Sequence, residues 1–224
     1  MAQPPAPEPP EGLSGLTKTE VRNLVRNTLK KCKNLRIPED IDDHGKQQDS
    51  NGTWHVYLRD SGKEHNINGK KCGGRPPAIQ IQGNNPVRLY LDSGIKLGAK
   101  SWIDTTETQH AADFMILGTE KLTTDISIRG QSPDGEPLKA FIWAPNSKVA
   151  FWEGETGKRT VEGAIWADRL YAVGSDAIEG FDLVVPEDMP QLIYQRLGKE
   201  FGIGRRDYVA QGVSSWRSYG RTPD

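Results

Sequence analysis

Cysteine is scarce in this chain. Cys32 and Cys72 are its only two, with no CxxC pair, which argues against a zinc cluster and leaves either one long-range disulfide or two buried thiols. Charge of one sign is lacking as well: 29 Lys+Arg stand against 30 Asp+Glu, so a formal charge of −1 gives the whole chain no electrostatic case for binding nucleic acid. No window approaches the roughly 18 consecutive apolar residues of a membrane span, so no bilayer crossing is expected. The opening MAQPPAPEPPEG has neither a basic n-region nor an apolar h-region. The chain as given therefore shows no signal peptide, and either the protein stays inside the cell or a leader has been removed.

Catalytic signatures are missing too. Gly157-Lys158-Arg159 lacks both the first glycine and the hydroxyl of a phosphate-binding loop, and no GxSxG elbow occurs. His44, His55, His65 and His110 form no HxH or HExxH pair and read as surface residues. Asp40, Asp42 and Gly45 hint at a calcium loop, but Asn51 at the twelfth position offers no bidentate carboxylate. Neither a metal nor a cofactor is expected.

Gly is plentiful, at 24 of 224 residues, and with 15 Pro it marks a turn-rich, mainly β chain of one domain with small appendages. Five of the first ten residues are Pro, so 1–16 reads as a Pro-rich linker, 17–185 as a helix plus β-domain, and 186–224 as a C-terminal helix and polar tail. Thr17 with Glu20 predicts a capping box, and Leu16, Val21, Leu24, Val25 and Leu29 recur at helical spacing, which predicts a helix over 18–33. The opposite face is basic: Lys18, Arg22, Arg26, Lys30, Lys31, Lys33 and Arg36 stand against Glu20. It reads as a solvated helix face followed by the acidic run Glu39, Asp40, Asp42 and Asp43, ahead of an anionic-partner site.

From Trp54 the apolar period becomes two, as in Trp54-His55-Val56-Tyr57-Leu58 and Val87-Arg88-Leu89-Tyr90-Leu91, and about ten short strands follow by this pattern. Asn51-Gly52, Asn68-Gly69, Ser93-Gly94 and Asp134-Gly135 supply turns where Asn and Gly take positive φ. The segment from Phe141 to Ala150 is echoed by Ala164 to Ala172, with Ile142-Trp143-Ala144 answered by Ile165-Trp166-Ala167. Strand, polar corner and strand repeated in this way predict a β-solenoid, in which each coil buries its inner face only by stacking on the next; a β-sandwich is the alternative. Pro190 in a first turn, with Met189, Leu192, Ile193, Leu197 and Phe201 on one face, predicts a second helix over 187–200 capping an end of the β-domain. The Arg-rich tail from Gly202, with Trp216 and Tyr219, reads as loosely ordered.

Residues 85–97 (NPVRLYLDSGIKL), 112–118 (ADFMILG), 142–147 (IWAPNS) and 161–167 (VEGAIWA) together resemble an uncharacterised bacterial domain. That domain lies at the C-terminal end of type IV pilus-associated and other large cell-surface proteins, including cyanobacterial ones linked to secreted polysaccharide and motility. The resemblance implies a right-handed β-helix-like fold with a structural or adhesive role at the cell surface and no catalytic residues. It makes Ala144, Pro145, Asn146, Gly163, Ala164 and Ala167 structural motif positions, and pilus or surface proteins or polysaccharide the partners, with self-association open. Trp102, Trp152 and Tyr171 then offer rings for stacking on sugars, or else form buried aromatic ladders. Two rivals stand beside this reading. One is a polysaccharide lyase or hydrolase assembled from carboxylates such as Asp92, Asp104, Glu153 and Asp168. The other is a cytoplasmic polymerising scaffold resembling bactofilins, which the absent leader favours.

Overall fold

A computed structural model describes residues 6–60, 62–70, 72–97, 100–152, 160–173 and 181–197. Its first element, α1 (Lys18–Asn27), starts at the expected capping box: the Glu20 amide donates to the Thr17 hydroxyl at 3.3 Å, and the Thr17 amide donates to the Glu20 carboxylate at 2.7 Å. The helix is shorter than its apolar spacing predicts. The Thr28 hydroxyl donates to the Leu24 carbonyl at 2.7 Å, the chain tightens into a 3-10 turn over 29–31, and Cys32 turns left-handed at φ 60°. Val21, Val25 and Leu29 enter the same buried cluster as Leu35, Ile37 and Ile67, so α1 lies across the first coil.

The period-two segments stack in parallel along three sheets, the first two made continuous by long strands that turn the corner between them. The first sheet holds β3 (Trp54–Leu58), β6 (Val87–Leu91), β9 (Phe114–Gly118), the first halves of β11 (Leu138–Trp152) and β12 (Thr160–Val173), and β13 (Asp182–Val184). The second holds β4 (His65–Asn66), β7 (Ile95–Lys96), β10 (Ile126–Arg129) and the second halves of β11 and β12. The third holds β1 (Leu35–Ile37), β5 (Ala78–Ile81) and β8 (Trp102–Asp104). The chain thus winds as a β-solenoid of about four turns. Parallel pairing between successive coils replaces the antiparallel hairpins that a sandwich requires. The antiparallel strand β2 (Lys46–Gln48) pairs along β3 and covers the edge of the first sheet. No described helix is long and apolar enough to cross a membrane.

The internal echo lies in register: Ile142 faces Ile165, Trp143 faces Trp166 and Ala144 faces Ala167. At the corner, Pro145, Asn146 and Ser147 oppose Asp168 alone, and pairing resumes at Lys148 and Arg169. The strands expected separately at 139–143 and 148–152 are therefore one bent strand, because the hydrogen-bonded stack continues through the corner. Inside, Val56, Leu89, Ile116, Ile142 and Ile165 form a continuous buried ladder.

The outer side of the first sheet is apolar as well. Tyr57, Tyr90, Leu117, Trp143 and Trp166 line up across it. Against this stripe pack α2 (Met189–Leu197) and the 3-10 turn at 111–113, with Met189 and Leu197 buried in one cluster with Tyr90, Met115 and Phe141. The expected end cap is thus a flank, drawn there by apolar surface that exists only once the coils stack. Leu13 joins the same cluster and Leu16 the inner core, so the domain takes in the chain a few residues before 17.

Two glycines show how tightly the coils approach. A Cβ on Gly94 would lie 1.9 Å from the Asp125 carbonyl oxygen, and one on Gly163, at φ +144°, would lie 1.9 Å from that of Ala140. Gly94 is therefore a stacking requirement and not the positive-φ turn that Ser93-Gly94 suggests, whereas Gly52 and Gly135 do take positive φ.

Candidate functional site

Cys32 and Cys72 form a disulfide, with Cα atoms 5.7 Å apart. It joins the left-handed turn after α1 to the segment leading into β5. The same junction is held by the Lys30 ammonium, which donates to the Gly69 carbonyl at 3.0 Å, and by the Lys70 amide, which donates to the Leu29 carbonyl at 3.3 Å.

The carboxylates expected for polysaccharide cleavage are placed apart. Asp92 follows β6 at the corner of the first and second sheets and is 4% exposed. It accepts the Tyr57 phenol and the Thr119 hydroxyl, each at 2.7 Å, so one carboxylate ties three successive coils. Lys121 lies 3.5 Å from the same oxygen that accepts the Tyr57 phenol. Asp104, on the third sheet, accepts from the Thr106 amide and hydroxyl at 3.1 and 2.7 Å and from the Gln80 amide at 3.4 Å. Asp168 sits 3.7 Å from Arg169 at the β12 corner, and Glu153 lies outside the described residues.

Of the rings proposed for sugar stacking, Trp102 is buried at 3% exposure, donates its indole N–H to the Pro76 carbonyl, and carries the Arg75 guanidinium 5.6 Å from its ring. It offers no open face, because β8 sends Ile103 into the core and turns Trp102 outward, where the 75–77 segment covers it. Trp152 is half-buried, and Tyr171 is exposed, its hydroxyl donating to Asp125 at 3.2 Å. Among the resemblance positions Ala144 is buried at the corner, Pro145 and Asn146 form its outer bend, and Gly163, Ala164 and Ala167 run along β12. The expectations for the tail after Gly202 fall outside the described residues.

His55 and His65 depart from the surface reading, whereas His44 is exposed as expected. His44 pairs with Glu20 at 3.1 Å, and His110 caps the 111–113 turn and meets Asp188 at 3.0 Å. His55 and His65 are buried, because their strands turn them away from solvent. His55 has Tyr90 and Asp49 within 3.3 Å of its two ring nitrogens, whereas both ring nitrogens of His65 lack a hydrogen bond, the Arg59 backbone approaching without closing one. Burial, and then the charge of Lys18, hold the His65 imidazole below its ordinary pKa.

His65 borders a groove of about 350 Å³ between α1 and β4. Lys18, Arg22, Arg26 and Lys30 line one side of it. The acidic run expected to accompany this basic face turns elsewhere: Glu39 and Asp40 pair with Arg36, and Asp43 with Lys46. Asn68 adds a buried side-chain oxygen without a partner. Sequence reasoning found the cations but missed His65 and Asn68, which reach the helix only because the first coil closes under it.

A family model described as a domain of unknown function (DUF7305) matches residues 11–179. No curated protein and no solved structure matches the chain.

Proposed function

The chain belongs to the DUF7305 family, a domain of unknown function, and from that premise we propose that it is a noncatalytic structural or adhesive module of the bacterial cell surface, in contact with surface proteins or polysaccharide. The observation that carries this reading is the Cys32–Cys72 disulfide. Such bonds persist in oxidising compartments and are rare in the reducing cytoplasm. The resemblance of residues 85–180 to cell-surface domains agrees with it. The noncatalytic part is supported by the duties of Asp92 and Asp104, whose oxygens are engaged by neighbouring coils and turns.

The test is surface labelling of intact host cells with a membrane-impermeant amine reagent, for which exposed lysines such as Lys96 and Lys148 provide targets. The chain is expected to carry label before lysis. Label acquired only after lysis would place it inside the cell and end this reading.

A further inference from the structure

The groove beside α1 has the chemistry of a binding site for a charged polymer. Lys18, Arg22 and Arg26 recur every four residues, about 6 Å apart along the helix axis, and Lys30 continues the row on the next turn. Arg22 and Arg26 are exposed, and the Arg26 guanidinium donates to a neutral side chain, the Asn23 amide oxygen, at 3.1 Å. Among the described lining residues Glu64 is the carboxylate, with Asp60 close by, where it accepts the Lys18 amide at 2.7 Å, so the cations outnumber the anions at this groove. Between the cations the floor is apolar, made by Val21 and Val25.

At the inner wall the groove holds polar groups without a hydrogen-bond partner of good geometry, the Arg59 backbone lying beside His65. His65 is 2% exposed with two unpartnered ring nitrogens, and the Asn68 oxygen beside it is buried and unpartnered. Buried polar atoms left unmatched cost stability, and a hydrogen-bonding ligand that reaches the inner wall would recover that cost.

We propose that this groove binds a linear acidic polysaccharide, its carboxylates along the Lys18–Arg22–Arg26–Lys30 row and its hydroxyls on His65 and Asn68. The proposal rests on the surface-module reading and names the class of polymer that the module holds. One carboxylate per sugar unit gives charges at intervals that a four-residue helical row can follow. The C–H faces of the sugars lie on Val21 and Val25, and the neutral imidazole and the amide both give and accept hydrogen bonds, as sugar hydroxyls require. A single nucleic-acid strand fits less well, because its bases need aromatic platforms and the groove lining contains no Phe, Tyr or Trp.

The test uses the full chain and titration calorimetry with polygalacturonate, neutral dextran, poly-glutamate and oligo-dT. Polygalacturonate is expected to bind and dextran not, with affinity falling as salt rises. Arg22→Glu with Arg26→Glu, both on exposed positions, should weaken binding at least tenfold at an unchanged melting temperature. Asn68→Ala should weaken it about threefold, a loss of about 0.7 kcal/mol. Lys148→Glu, on a distant coil, should bind as the parent does. Equal or tighter binding of poly-glutamate or oligo-dT would overturn the proposal, as would polygalacturonate binding that survives the double charge reversal. A chain that labels on intact cells yet binds none of the polymers would overturn the groove assignment while leaving the surface reading in place.

Discussion

Asp92 is where three coils meet. Its replacement by Ala leaves the Tyr57 phenol and the Thr119 hydroxyl without their buried acceptor, and the expected loss is about 2–4 kcal/mol, read as a lower urea midpoint. An unchanged midpoint would contradict the role. Burial, and then the hydrogen bond to Asp92, raise the Tyr57 pKa above its ordinary 10.0. The protonated phenol is the folded form, so its contribution is present below pH 10.0 and is lost as pH rises beyond it. His65 acts with the opposite sign. Its pKa is depressed from 6.5 by burial and Lys18, with Asp60 and Asp92 opposing in part, so its neutral form is the folded one. The stability it contributes is present above pH 6.5 and is lost as pH falls below that value, because the unfolded chain then takes up the proton first. Unfolding followed from pH 7.5 to 5 should show this decline in the parent and a flatter profile in His65→Gln; parallel profiles would remove His65 as the cause. Neither role was legible in the sequence. Asp92 reads there as a carboxylate for polysaccharide cleavage and His65 as a surface histidine, since desolvation arises only when distant coils close over them.

Elements were legible where the local code is self-sufficient. Thr17 and Glu20 specify the start of α1 within four residues, and Thr17→Ala is expected to cost about 1 kcal/mol in thermal unfolding. The apolar spacing runs on to Leu29 and so overshoots the end of α1, because the backbone leaves helical geometry at Thr28 and tightens into the 3-10 turn at 29–31. The echo of residues 141–144 at 164–167 was legible because those two coils are nearly the same length up to the corner. Earlier coils carry longer excursions, with Trp54 facing Val87 and Val87 facing Phe114, and no repeat shows through them. Gly163 is the sharpest element-scale test. Any Cβ there strikes the Ala140 carbonyl, so Gly163→Ala should cost about 1–3 kcal/mol and open β12 to limited proteolysis before the rest of the domain. Equal protease resistance in both proteins would contradict the close stacking of β11 and β12.

At the scale of the whole molecule, glycine-rich corners and one in-register repeat were enough to point to a solenoid, because stacking is the way such short strands bury their inner faces. The position of α2 was not legible, since the apolar stripe of Tyr57, Tyr90, Leu117 and Trp143 that holds it is assembled from four separate coils. The groove beside α1 was half legible: its cations are written every four residues, but His65 and Asn68 arrive from the closing coil. The disulfide spans a 40-residue separation, so by loop entropy its reduction should lower stability by about 4 kcal/mol. The most direct test of a disulfide-tied module working outside the reducing cytoplasm is thiol alkylation of host cells before lysis, followed by mass spectrometry without reductant. The expected result is a chain whose Cys32 and Cys72 carry no adduct until reductant is added. Two alkylated thiols in the unreduced protein would contradict it and return the chain to the cytoplasm.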